Sequence, residues 1–332
     1  MAGKQVKSGL LLLCLFLLAL ALCACHSQSA AQVEETAPAT EAQEEVLLQG
    51  MPQTGASMAA ELQAEEPPKR VIDTDVFVRP DVLPHKLLSP VVGVRVAEED
   101  LAATKREWLA AVVPHHLLAG QYTAQVIAAL AAQEPPLVIV LGPNHANGGA
   151  PIQTTSALWR TSVGDLAVDE AALEAVLATG LVVENDALFQ EEHSIGTLMP
   201  FLAYYMPGVR VLPLAFHFDY SLEDGQAILE ALAPFLAEGA VLLGSIDFSH
   251  GLQMAQAEEH DAQTEALLAA GDSQAIARLR SQNLDAPILL ALLIEYAKDQ
   301  GVEQPVILAN TNSGRLMQDT QMDCTSYFSL LF

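Results

Sequence analysis

The stretch "PPLVIVLGPNH", residues 135–145, decides the fold. Leu137-Val138-Ile139-Val140-Leu141 runs without a polar interruption, and its three central residues are β-branched. A strand with one wet face would alternate apolar and polar residues. An unbroken run of this length suits a strand covered on both faces, as in a parallel sheet between helices. Gly142-Pro143 closes the run and leaves His145 just beyond its carboxyl end.

The same rhythm extends in both directions from that strand. Upstream, Val91–Ala97 and Leu109–Pro114 read as strands, and the stretch 120–133 reads as a helix. Downstream come a helix near Asp169–Leu177, a strand over 209–216 and a helix over Leu222–Ala237. A strand follows in "AVLLGSIDFSH", 240–250, and three helices fill 257–300. "QPVILANT" and "TSYFSLLF" close the chain as strands. Strand and helix alternating at this spacing predict an α/β layered domain with a mostly parallel or mixed central sheet. It occupies residues 71–332, with no internal repeat and no second linker.

The N-terminus reads differently. Lys4 and Lys7 precede a continuous apolar run over 9–24, too short for a spanning helix but suited to a secretory signal. The run ends in Leu22-Cys23-Ala24-Cys25, a close match to the bacterial lipobox. That match implies a lipoprotein signal peptide at 1–24, lipidation of Cys25, and an extracytoplasmic protein anchored to the bacterial membrane. The alternative is an uncleaved signal anchor, which would tether the chain on the same side. Residues 25–70 are rich in Ala, Gln, Glu, Thr and Pro, with few large apolar side chains. Such a composition cannot offset chain entropy by burial, and a disordered acidic tether is expected.

The chain carries 41 acidic against 15 basic residues, a formal charge of −26. Nucleic acid is excluded as a partner, because phosphate binding requires a basic surface. Of four cysteines, only Cys324 falls in the predicted domain, leaving no internal disulfide and no cysteine-based zinc site.

Ligands of open α/β sheets bind outside the carboxyl ends of the strands, and here those ends are rich in histidine. They read Pro114-His115-His116, Gly142-Pro143-Asn144-His145 and Asp247-Phe248-Ser249-His250. A fourth group, Glu191-Glu192-His193-Ser194, precedes an apolar helix. Each fits an ordinary structural part too. A histidine after Gly-Pro suits a turn, Asp247 suits a helix N-cap, and Glu192-His193-Ser194 suits a helix entry with Ser194 as the cap. Recurrence at successive strand ends is what favours one shared polar pocket. Neutral imidazole is the commonest nitrogen ligand of zinc, copper and iron, and carboxylates complete or orient such sites. No G-x-S-x-G, H-E-x-x-H, P-loop or G-x-G-x-x-G occurs. "NTNSG", 310–314, reads as a turn between strands, and His217 as a partly buried residue at a strand end.

In order, "VVPHHLLAG", "LGPNHANGG", "WRTSVGD", "EEHSIGTLMPFL", "GSIDFSHG" and "TSYFSLLF" resemble the Memo family, whose bacterial members are called AmmeMemoRadiSam system protein B. The resemblance implies a three-layer α/β/α sandwich similar to LigB-type class III extradiol dioxygenases, which hold non-haem Fe(II). It also implies iron or copper, ahead of zinc, as the metal. The family's metal-site histidines fall on His115 and His145, its pocket Asp and His on Asp247 and His250, and its Glu-His pair on Glu192 and His193. Where family members place a cysteine before a proline-initiated helix, this chain has "SQNLDAPILL", with Asn283 near the cysteine position. A third protein ligand would then be His116, Asp285 or Asp247, or be absent. In an enzyme, His193 or His250 would serve as general base while Asp247 orients a ring. Two readings stay open: a metal-dependent oxidoreductase, or a non-catalytic protein that binds a small-molecule ligand or assembles partners at the membrane surface. The cytoplasmic radical-SAM partner in the family's name conflicts with a lipoprotein's address.

Overall fold

The computed structural model describes residues 70–89, 91, 94–96 and 107–332. The expected signal peptide at 1–24 and the lipidation site Cys25 lie outside the described residues. So does the expected tether at 25–70, apart from Arg70.

Eight strands make the central sheet: β1 (Ala110–Val113), β2 (Leu137–Pro143), β3 (Ile152–Thr154), β4 (Val182–Glu184), β5 (Arg210–Phe216), β6 (Val241–Ser245), β7 (Val306–Asn312) and β8 (Ser326–Leu331). Their spatial order is β7-β8-β1-β6-β2-β5-β3-β4. The four central strands, β1, β6, β2 and β5, are mutually parallel. β8 and β3 flank them antiparallel, so the sheet is mixed. Every residue of β2 is buried, as its unbroken apolar run requires.

Helices cover both faces. α1 (Gly120–Ala131), α2 (Glu170–Ala178), α3 (His193–Gly196), α4 (Met199–Tyr205), α5 (Leu222–Ala237), α6 (Met254–Ala270) and α7 (Pro287–Asp299) follow in chain order. α5 starts on a capping box in which Ser221 and Asp224 satisfy each other's backbone N–H groups. Pro287 opens α7, where its missing N–H costs nothing. The two helical layers can be told apart from β6 alone, because successive strand residues point to opposite faces. A Cβ on Gly244 would come within 2.6 Å of Leu293 on α7. The next residue, Ser245, instead bonds the carbonyl of Ser194 on α3. The result is the expected three-layer α/β/α sandwich.

Two local expectations need revision, and one small sheet stands outside them. Among the described residues of the expected strand Val91–Ala97, Val94 makes only an isolated bridge to Ala309. The stretch 310–314 is not a turn between strands. β7 continues through Asn312, whose side chain accepts the Arg315 N–H and caps the short helix Ser313–Met317. A small satellite sheet of Val71–Asp73, Leu158–Thr161 and Gly164–Leu166 was not anticipated, because three- and four-residue strands carry too little periodicity to register. No helix among the described residues is long and apolar enough to cross a membrane.

Candidate metal centre

The parallel strands β1, β2 and β6 end on one edge of the sheet, and the chain just past them supplies His115, His145 and Asp247. Pro114 ends β1 and turns His115 into the molecule, where it is 3% exposed. Its Nδ1 lies 3.1 Å from Ser245 Oγ. The Ser245 hydroxyl has one proton and gives it to the Ser194 carbonyl, which can only accept. Ser245 must therefore accept from His115, so Nδ1 carries the ring proton and Nε2 presents a lone pair. Burial, helped by the neighbouring His145, pushes the His115 pKa well down and keeps the ring neutral.

His145 is held by one carboxylate at two points. Glu192 Oε2 accepts its backbone N–H at 2.7 Å, and Oε1 accepts Nδ1–H at 2.8 Å. Glu192 also caps α3 by accepting the Ser194 N–H. Burial opposes the charge of Glu192, but hydrogen bonding to His145 and these backbone donors outweigh it and lower its pKa to about 2. Burial likewise opposes a proton on His145, yet Asp285 and Glu192 together raise its pKa to about 10. The His193 ring stacks on that of His145, with centroids 4.3 Å apart. Burial, then the adjacent His145 charge, lowers the His193 pKa.

His115, His145 and His193 each offer a ligand atom within 4.8 Å of the other two. Below them sit two buried carboxylates. Asp285 Oδ2 lies 3.4 Å from His115 Nε2 and 3.8 Å from His145 Nε2. Asp247 Oδ2 lies 3.7 Å from His115 Nε2. A lone pair on His115 Nε2 facing carboxylate oxygens is repulsive unless a proton or a cation stands between them. Burial, then the nearby Asp247 charge, raises the Asp285 pKa to about 7, so near neutrality a proton can serve. The other oxygen, Asp285 Oδ1, is buried without a hydrogen-bond partner among the described residues. Nitrogen and carboxylate donors of this kind suit iron, copper or zinc. The residues present fit a metal ion.

The comparisons bear on the same residues. A family model described as Memo-like protein matches residues 88–330. The chain belongs to the Memo family. A MEMO1 family protein of Pyrobaculum aerophilum is 30% identical over 251 residues, covering 68% of this chain and 84% of the relative. One from Pyrobaculum arsenaticum is 30% identical, covering 56% of this chain and 64% of its own length. One from Methanosarcina mazei is 29% identical, covering 67% and 85%.

In this Memo-family chain the remaining candidates divide. His116 lies outside the histidine triangle, because adjacent residues leave the strand end in different directions. Its Nδ1 lies 2.6 Å from the buried Tyr327 hydroxyl. Asp247 orients the backbone more than a ring, since its Oδ1 accepts the N–H groups of His115 and His116 at 3.1 and 3.5 Å. Asn283 turns away toward Gln263 on α6, at 3.3 Å. Asp285, two residues on, faces the cluster instead. His217 is tied to the Asn147 carbonyl and the Asp219 N–H, as a structural residue would be. The four strand-end histidines and His193, with Asp247, line one cavity of about 490 Å³. Sequence reasoning missed Ser245, whose part in orienting His115 only the packing of β6 against α3 makes visible.

Proposed function

We propose that this Memo-family chain is a metal-binding protein holding one iron or copper ion at the strand-end cluster. The observation that carries this reading is the triangle of His115, His145 and His193, with Asp285 Oδ2 3.4 Å from His115 Nε2 and 3.8 Å from His145 Nε2. Ser245 holds His115 in the tautomer a ligand needs, and Glu192 holds the His145 ring in place, so that loss of the Nε2 proton would free its lone pair for a metal. A metal there would act as a Lewis acid toward an oxygen-bearing ligand in the cavity. Cobalt(II) titration of the metal-free full chain under argon tests it. Visible bands of a nitrogen-ligated ion at one equivalent, lost in His115→Ala, are expected. A colourless titration would refute it.

A second, catalytic reading as a metal-dependent oxidoreductase of the dioxygenase type is favoured by one group. His250 lines the same cavity, and its Nδ1 is buried without a partner among the described residues. Burial lowers its pKa, keeping it neutral and able to take up a proton. Oxygen uptake by the metal-loaded chain supplied with a catechol as the compound oxidised, abolished in a His250→Gln protein of unchanged metal content, would support this reading. Absence of uptake would refute this catalytic reading. Its sequence also supports anchoring to the outer side of the bacterial membrane through lipidated Cys25, and Cys25→Ser would then release it into the soluble fraction.

A further inference from the structure

The cavity over the histidines has two unlike halves. Its floor is imidazole and carboxylate, while Val76, Phe77 and Leu117 line it with apolar surface. Val76 and Phe77 come from a strap that crosses the molecule before the family match begins at residue 88. Several contacts fix the strap. Val71–Asp73 pairs parallel with the strand Leu158–Thr161, and the Thr74 hydroxyl donates to the Arg160 carbonyl at 3.0 Å. Arg70 makes a salt bridge with Asp186 at 2.6 Å.

Phe77 lies directly on Gly196 of α3, where any Cβ would collide with its ring. Glycine at 196 thus lets an aromatic ring settle one turn from His193. Val76 is 71% exposed at the cavity. A bare valine in water is ordinary when isolated, but this one continues an apolar wall beside Phe77 and Leu117.

We infer that the strap makes this site selective for small amphiphilic ligands, whose oxygen or nitrogen head meets the histidine floor and whose aryl-sized apolar body lies along Val76 and Phe77. The inference rests on the metal reading above. It names a ligand class and assigns the preference to two residues outside the family-matched region. A volume of about 490 Å³ is ample for such a molecule.

Two hydroxamates that share one metal-binding head separate the body from the head. Acetohydroxamate and benzohydroxamate are titrated by calorimetry into the metal-loaded full chain, its Val76→Ser and Phe77→Ala variants, with bound metal measured in each. Benzohydroxamate should bind at least about tenfold tighter to the wild type, and that ratio should fall severalfold in both variants. Val76 is exposed, so its substitution tests the strap even if Phe77→Ala fails to fold. Equal affinities in the wild type, or an unchanged ratio in Val76→Ser, would overturn the inference. So would the failure of both hydroxamates to bind a chain that holds its metal, which leaves the metal reading standing. A chain that takes up no metal fails that reading first, and the inference with it.

Discussion

Ser245 fixes the proton on His115. Its Oγ stands between the ring Nδ1, 3.1 Å away, and the Ser194 carbonyl. A hydroxyl that donates to a carbonyl can only accept from the ring, which leaves Nε2 as the free donor atom toward the carboxylates. Ser245→Ala should cost about 1–3 kcal/mol of stability by stranding the buried Nδ1–H. It should weaken metal binding by about 10–100-fold. Chelator competition and urea unfolding on the same protein measure both effects.

Glu192 and His145 form a pair whose stability depends on pH in both directions. The pKa of Glu192 is lowered to about 2, so its contribution is full above the ordinary carboxylate range and is lost as pH falls through 2. That of His145 is raised to about 10, so its contribution is full below the ordinary imidazole range and is lost as pH rises through 10. The metal-free chain should therefore show its best pairing between about pH 5 and 6, with losses on each side. Glu192→Gln should flatten both limbs in denaturation midpoints taken on either side of that range, from about pH 2 to 10.

Asp261 carries the opposite sign. It is buried on α6, where it accepts from the Ser249 hydroxyl at 3.0 Å and from Asn310 Nδ2 at 3.2 Å. Burial raises its pKa to about 6. A carboxyl whose folded pKa is raised stabilises fully below its unfolded value, near 4, and loses that advantage as pH rises through 6. Asp261→Asn should thus gain on the wild type between pH 4 and 7, by at most about 3 kcal/mol. Unfolding of the two proteins at pH 4.5 and 7.5 checks the crossing.

Gly142 and Gly244 distinguish damage to the site from damage to the core. A Cβ at Gly142 would stand 2.7 Å from Ser194 Oγ and 3.0 Å from Ile195, pushing α3 and His193 off the sheet. One at Gly244 would press on Leu293 of the opposite layer. Each alanine substitution should cost about 1–3 kcal/mol through overpacking. Only Gly142→Ala should also weaken metal binding severalfold, as read by chelator competition.

Much of this was legible in the sequence, and the reasons for the remainder are physical. The run Leu137–Leu141 announced a strand buried on both faces, and Gly142-Pro143 marked where it stops. The same logic put His115, His145 and Asp247 at strand ends, and parallel strands end on the same edge. Pattern alone could not choose between His115 and His116, because adjacent residues diverge and the choice depends on Tyr327, some two hundred residues away. Nor could it show His193 stacked on His145, a contact that follows from Glu192 gripping His145 while capping α3. Asp285 was one of several candidate ligands until the backbone of Leu284 and Asp285 came to lie against Phe248 and Asp247. The strap at Val76 and Phe77 follows a strand, Val71–Asp73, too short to leave a periodic trace.

The most direct test of the central claim is the metal content of the full chain, reconstituted anaerobically with iron(II) or copper and measured by elemental analysis beside His145→Ala. Close to one equivalent in the wild type, lost in the variant, is the predicted result. No retained metal in the wild type, or an undiminished equivalent in His145→Ala, would contradict it.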